Sequence, residues 1–260
     1  MFLEKRKRFI ISTIILSAGL FSIQFIPEQS LKFVSIAILG IICFFLFWWS
    51  LREGLKSKIS YLILILPIYY TVGAALFWFL LPKTVAISSV LALIYGISVY
   101  VLFLTTNVFS VSSIKTIALY RAAKGVGFLL TLVAFFLALD GIISLRLTYI
   151  YVGVLVFAVT FPLYLQGYWT STLQEKSDRK LILRAIVSSY LQAQLAVILF
   201  FWPVSVIVGS LFMTVYFYIL LGLGQAELEG RLFPQTIQEY LMVGVVVFTV
   251  MFFSTSWVGY

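Results

Sequence analysis

Residues 33–51 read FVSIAILGIICFFLFWWSL, and Arg52 follows. An uncharged stretch of this length is close to the roughly 20 residues a helix needs to cross the hydrocarbon of a bilayer at about 1.5 Å rise per residue. Trp48 and Trp49 close the run, where one edge of an indole ring finds water. Working outward in both directions, the same reading recurs. Apolar runs cover residues 9–25, 59–81, 85–104, 117–139, 147–169, 183–201, 204–223 and 240–257, the one between 117 and 139 being the least clean. Each must be helical, because in lipid the backbone has to satisfy its own hydrogen bonds. A β-barrel would instead show alternating segments of about ten residues. The expected fold is an all-α, polytopic integral membrane bundle of about nine transmembrane helices, forming a single membrane domain over residues 1–260.

Composition supports this. Hydrophobic residues make up 63% of the chain and charged residues 10%, against about 25% charged in soluble domains. Mean hydropathy is +1.12. A water-soluble fold would have to leave much of that apolar surface wet. There is no histidine, which removes Cys/His zinc sites and Ser/His/Asp or Cys/His catalysis. The single cysteine, Cys43, lies inside an apolar run and cannot form an intrachain disulfide. Phosphate-loop, HExxH and GxSxG motifs are absent from the sequence, so no cofactor or metal is expected.

The net charge of +9 is carried by loops, which points to membrane headgroups rather than nucleic acid. With the N-terminus in the cytoplasm, Lys5, Arg6, Lys7, Arg8, Arg52, Lys56, Lys58, Lys115, Arg121, Lys124, Lys176, Arg179, Lys180, Arg184 and Arg231 fall inside, and Lys32, Lys83 and Arg146 outside. That asymmetry predicts an N-in, C-out orientation with four tight outward hairpins and a final helix. The six tryptophans, Trp48, Trp49, Trp78, Trp169, Trp202 and Trp257, all fall near expected span ends. The basic start followed by an apolar run imitates a signal peptide, but the first helix is expected to remain uncleaved. Minimal loops point to a prokaryotic cytoplasmic membrane.

Intramembrane charge is costly, and the nine acids are read as lying in loops or at span ends. Asp140 comes closest to the interior. It is either a carboxylate at the mouth of an outward cavity or a helix-end residue in a turn, paired to Arg146, and the second reading takes precedence. Glu28, in the first outside loop, could act as an acid or base on a lipid-linked substrate; a residue of a solvated turn is the plainer reading. In the seventh span Arg184, Ser188 and Gln192 recur every four residues and share a face, with Gln194 pointing elsewhere. That face either lines a polar cavity or hydrogen-bonds neighbouring helices, and packing takes precedence. Pro67 and Pro162 should kink the third and sixth spans. Residues 107–124 carry Val111, Ile114 and Ala118 at helical spacing, as an interfacial amphipathic helix would. Residues 224–239 form an acidic linker with Glu227 and Glu229, in which Pro234 should open a helix into the last span.

These readings lead to a non-enzymatic carrier, flippase-like or assembly component handling a hydrophobic or lipid-linked solute. The alternatives are a membrane-embedded enzyme acting at the outer face through Glu28 or Asp140, and a scaffold subunit of a membrane complex. The expected partners are membrane lipids, with a second membrane protein as a further candidate and no nucleic acid.

Overall fold

In the computed structural model the described residues are 5–26, 28–55, 58–81, 84–112, 119–173 and 179–255. Nine α-helices occur among them and no strand: α1 Lys5–Ile23, α2 Gln29–Leu51, α3 Ile65–Trp78, α4 Val85–Ser112, α5 Tyr120–Ser144, α6 Tyr149–Thr172, α7 Arg179–Phe200, α8 Val206–Leu228 and α9 Pro234–Phe253. A 3-10 helix, Lys58–Leu64, leads directly into α3. Eight elements are long and apolar enough to cross a membrane, the second being Tyr61–Trp78, most of the 3-10 helix together with α3. The exception is α1, whose first turn is Lys5-Arg6-Lys7-Arg8. The chain is a multi-pass helical membrane protein.

It divides into two compact units, Met1–Ala138 and Leu139–Tyr260. In the first, α1 packs on α2 and α4, and α2 packs on α3. Its centre is a stack of rings from three helices: Phe47 lies 3.7 Å from Phe103, which lies 5.2 Å from Phe9. Beside the stack, the Thr71 and Tyr95 hydroxyls meet at 2.9 Å, and Thr71 also reaches the Cys43 sulfur at 3.3 Å. Cys43 in turn donates to the Pro67 carbonyl at 3.5 Å. At one end of the unit Arg8 is buried. It donates to Glu53 at 2.5 Å and to the Trp49 carbonyl at 3.5 Å, while Lys5 adds an ion pair to Glu53 at 3.3 Å. At the other end Lys32 is buried inside α2, its ammonium 5.2 Å from the Phe79 ring centre.

In the second unit, α6 and α7 form the most extensive helix pair, α8 packs on both, and α9 packs on α8. Only Met251 of α9 is buried. The turn between α7 and α8 is tied down by Trp202, whose indole N–H donates to Thr255 at 2.9 Å.

Several expectations are corrected. Span five runs to Ser144 rather than 139, so Asp140 lies inside a helix and not in a turn. Span four runs on to Ser112 rather than 104. There Thr106 donates to the Leu102 carbonyl at 2.6 Å and Ser110 to that of Asn107 at 2.8 Å, so the hydroxyls are satisfied within the helix and need not end it. Asn107–Ser112 therefore belong to α4 and Tyr120–Lys124 to α5, not to a separate interfacial helix; Ile114, Lys115 and Ala118 lie outside the described residues. Pro67 sits in the first turn of α3, two residues after the change from 3-10 to α-helix at Ile65, so the expected break takes the form of that change. Pro162 lies inside α6, which continues through it. Pro234 does open α9. The acidic linker is shorter than expected, because α8 extends to Leu228 and takes in Glu227. Lys32 belongs to α2, and Glu28 immediately precedes that helix. Trp48, Trp49, Trp78 and Trp169 do lie near helix ends and Trp202 in the turn after α7, but Trp78 and Trp169 are buried among side chains. Trp257, Lys56, Lys83 and Lys176 lie outside the described residues.

Candidate functional site

Ser188 and Gln192 of the polar face of α7 are buried between α6 and α8, and Arg184 is half-buried. Gln192 is fully buried: its side-chain N–H donates to the Met213 carbonyl of α8 at 2.9 Å, and its oxygen accepts from the Tyr164 hydroxyl of α6 at 3.0 Å. One turn away, Ser188 meets the Tyr168 hydroxyl at 2.8 Å, and that hydroxyl also lies 3.2 Å from the Leu220 carbonyl. One turn further, Arg184 pairs with Glu227 at 2.7 Å. Arg184, Ser188 and Gln192 are thus brought together as three rungs of an interhelical seam. Gln225 of α8 adds a fourth rung, donating to the Gly167 carbonyl of α6 at 2.8 Å. The seam lets Tyr168 lie against α8 because residue 224 has no side chain; a Cβ there would stand 2.8 Å from the phenol ring's Cζ. Gln194 is exposed, as its spacing requires.

Glu28 lies in the first unit, exposed, and accepts from the Ser30 hydroxyl at 2.8 Å. Glu229 pairs with Arg231. Asp140 behaves differently. It is 1% exposed, and its Oδ1 has no hydrogen-bond partner among the described residues. The polar group beside it is the hydroxyl of Ser210 on α8, itself fully buried and without a partner of ordinary hydrogen-bond geometry. No ion pair joins Asp140 to Arg146 among the described residues.

Close to this pair a half-enclosed cavity of about 280 Å³ opens at the end of the unit formed by the α5–α6 and α7–α8 turns. Ile143, Val152, Ala196, Leu199, Phe200 and Met213 make its walls apolar, and Arg146, Trp202 and Ser205 add polar groups. Gly209 also lines it, next in sequence to Ser210. Arg146 is exposed and has φ of 51°, the left-handed region that favours glycine. It follows the end of α5, where the N–H groups of Leu145 and Arg146 bond back to Ile142 and Ile143 at 3.2 and 3.1 Å. That is the position a helix commonly gives to a C-terminal glycine.

The first unit holds a wider, open furrow of about 680 Å³ between α1 and α4. It is apolar apart from Thr13, Ser17 and Tyr100.

The sequence singles out Asp140, Arg146, Arg184, Ser188 and Gln192, but not Ser210 beside Asp140 or Tyr168 beside Ser188. A spacing of four between Tyr164 and Tyr168 was present, but nothing local says which helix they meet.

The fold and these sites define a multi-pass helical membrane protein with a buried polar seam and a small cavity at one end of its second unit. The chain belongs to the family described as a protein of unknown function (DUF5656), whose model matches residues 11–254. No curated protein and no solved structure matches it.

Proposed function

We propose that the protein binds and carries a lipid-type solute with an anionic head, the cavity of the second unit taking the head-proximal part of that molecule. The observation that carries this reading is Arg146. A residue held in a sparsely populated backbone region is a pointer to function, and here the outlier places a guanidinium at the opening of an apolar cavity. Guanidinium suits phosphate and carboxylate because its planar fork donates two parallel hydrogen bonds. The volume of about 280 Å³ is at the small end for ligand sites, so the remainder of the solute lies in the surrounding lipid. With α1 counted as a span, the cation distribution along the chain supports an orientation with the N-terminus inside and this opening on the outer side of the membrane. The satisfied bonds of the Gln192 seam support its role as a fixed wall rather than a pathway.

The test uses the left-handed geometry. Arg146→Gly removes the cation while suiting the backbone better than arginine does. With a photoreactive anionic lipid in proteoliposomes, cross-links are expected at Phe200, Met213 and their neighbours, falling about tenfold in Arg146→Gly with the fold intact. Cross-links confined to the furrow between α1 and α4, or unchanged by the substitution, would contradict the reading.

A further inference from the structure

Asp140 and Ser210 set a buried acid beside a buried hydroxyl, and neither the Asp140 Oδ1 nor the Ser210 Oγ has a partner of ordinary hydrogen-bond geometry among the described residues. No cation compensates the acid from the elements that carry the pair. On α5 the nearest described charge is Lys124, sixteen residues back and so about 24 Å along the axis. On α8 it is Glu227, seventeen residues on and about 25 Å away, already paired with Arg184 of α7. The neighbouring turn offers Arg146, which is exposed and forms no ion pair with Asp140. A carboxylate in this place is a desolvated charge with no counter-ion. A carboxylic acid needs only what is present: its O–H can donate to Ser210 Oγ.

We propose that Asp140 and Ser210 form a proton-binding site. The only bond made or broken is the carboxyl O–H, and the proton is exchanged with water. Gly209, next to Ser210, and Met213, less than one turn further on, both line the cavity, so the exchange path is short. The site stands whether or not the cavity takes a lipid, and its test does not depend on one. It would let an otherwise charge-poor unit respond to pH, and it makes proton-linked movement of a solute chemically available.

The experiment is labelling of the full chain in liposomes with dicyclohexylcarbodiimide, an apolar reagent that needs an undissociated carboxyl group. Adducts are located by fragment masses, so the assignment does not depend on a variant folding. The expected result is an adduct at Asp140 at least tenfold above those at exposed Glu28 and Glu53, falling at least tenfold between about pH 6 and pH 9. Ser210→Ala is expected to shift the pH at half-labelling while leaving the adduct at Asp140. An absent Asp140 adduct, or one no more abundant than at Glu28 and Glu53, would overturn the proposal. So would protection by added Na⁺ at constant pH, which would make this a metal-cation site, and an unchanged half-labelling pH in Ser210→Ala would remove Ser210 from it.

Discussion

Gln192 ties α7 to two neighbours at once, accepting from the Tyr164 hydroxyl of α6 and donating to the Met213 carbonyl of α8. A spacing of four places Arg184, Ser188 and Gln192 on one face, and that pattern is fully legible. The groups they meet, Tyr164, Tyr168, the Met213 carbonyl and Glu227, come from two other helices, and a helical period carries no information about a neighbour. Interhelical bonds in lipid average about 0.6 kcal/mol each. Gln192→Leu, which removes two, should therefore cost about 1 kcal/mol in unfolding from mixed micelles; no change would mean that the seam contributes nothing net. Glu53 gives a pH prediction. The hydrogen bond from Arg8, aided by Lys5, holds its carboxyl below the usual glutamate value. A group lowered in the folded state contributes stability above its unfolded value and loses it as pH falls through the folded one. The clamp between α1 and the end of α2 should thus be intact at neutral pH and weaken only in acid, below the ordinary glutamate range. Glu53→Gln should flatten that dependence, as read from unfolding midpoints across pH.

At the scale of elements, existence was legible and boundaries were not. Runs of apolar residues announce spans, but α4 and α8 continue past those runs where their polar groups find partners. Ser110 bonds within α4 and Glu227 with Arg184. Facing was equally hidden. Both sides of α2 are apolar, so the buried side with Ile36, Leu39, Cys43 and Phe47 and the exposed side with Ile38, Ile41 and Phe45 look alike in sequence. Close approach is visible only in space. A Cβ at Gly73 would stand 3.0 Å from the backbone nitrogen of Ala138 and 3.2 Å from the Ala134 carbonyl on α5. Backbone cannot step aside as a side chain can, so Gly73→Leu should destabilise by about 2 kcal/mol or more. Pro67→Ala should change stability by less than about 1 kcal/mol, because proline is tolerated in the first turn of a helix and the change removes few buried atoms. Both are measurable by the same unfolding assay, and a reversal of their order would contradict the packing described here.

At the scale of the molecule, the membrane character follows from composition alone, and eight long apolar helices bear it out. The division into two compact units was not legible, because α5 runs across the boundary as one uninterrupted apolar helix. The cavity was also out of reach: its walls come from residues 143–213, with Arg146 at its opening because of a backbone angle that sequence does not print. The central claim, that this cavity holds an anionic lipid-type molecule, is tested most directly by native mass spectrometry of the protein gently extracted from its own membrane. Bound species would be compared with those on Arg146→Gly and on Gly209→Phe, which places a ring in the cavity. A specific anionic lipid retained by the parent chain and reduced about tenfold in both variants is the predicted result. The same bulk phospholipids on all three would contradict it.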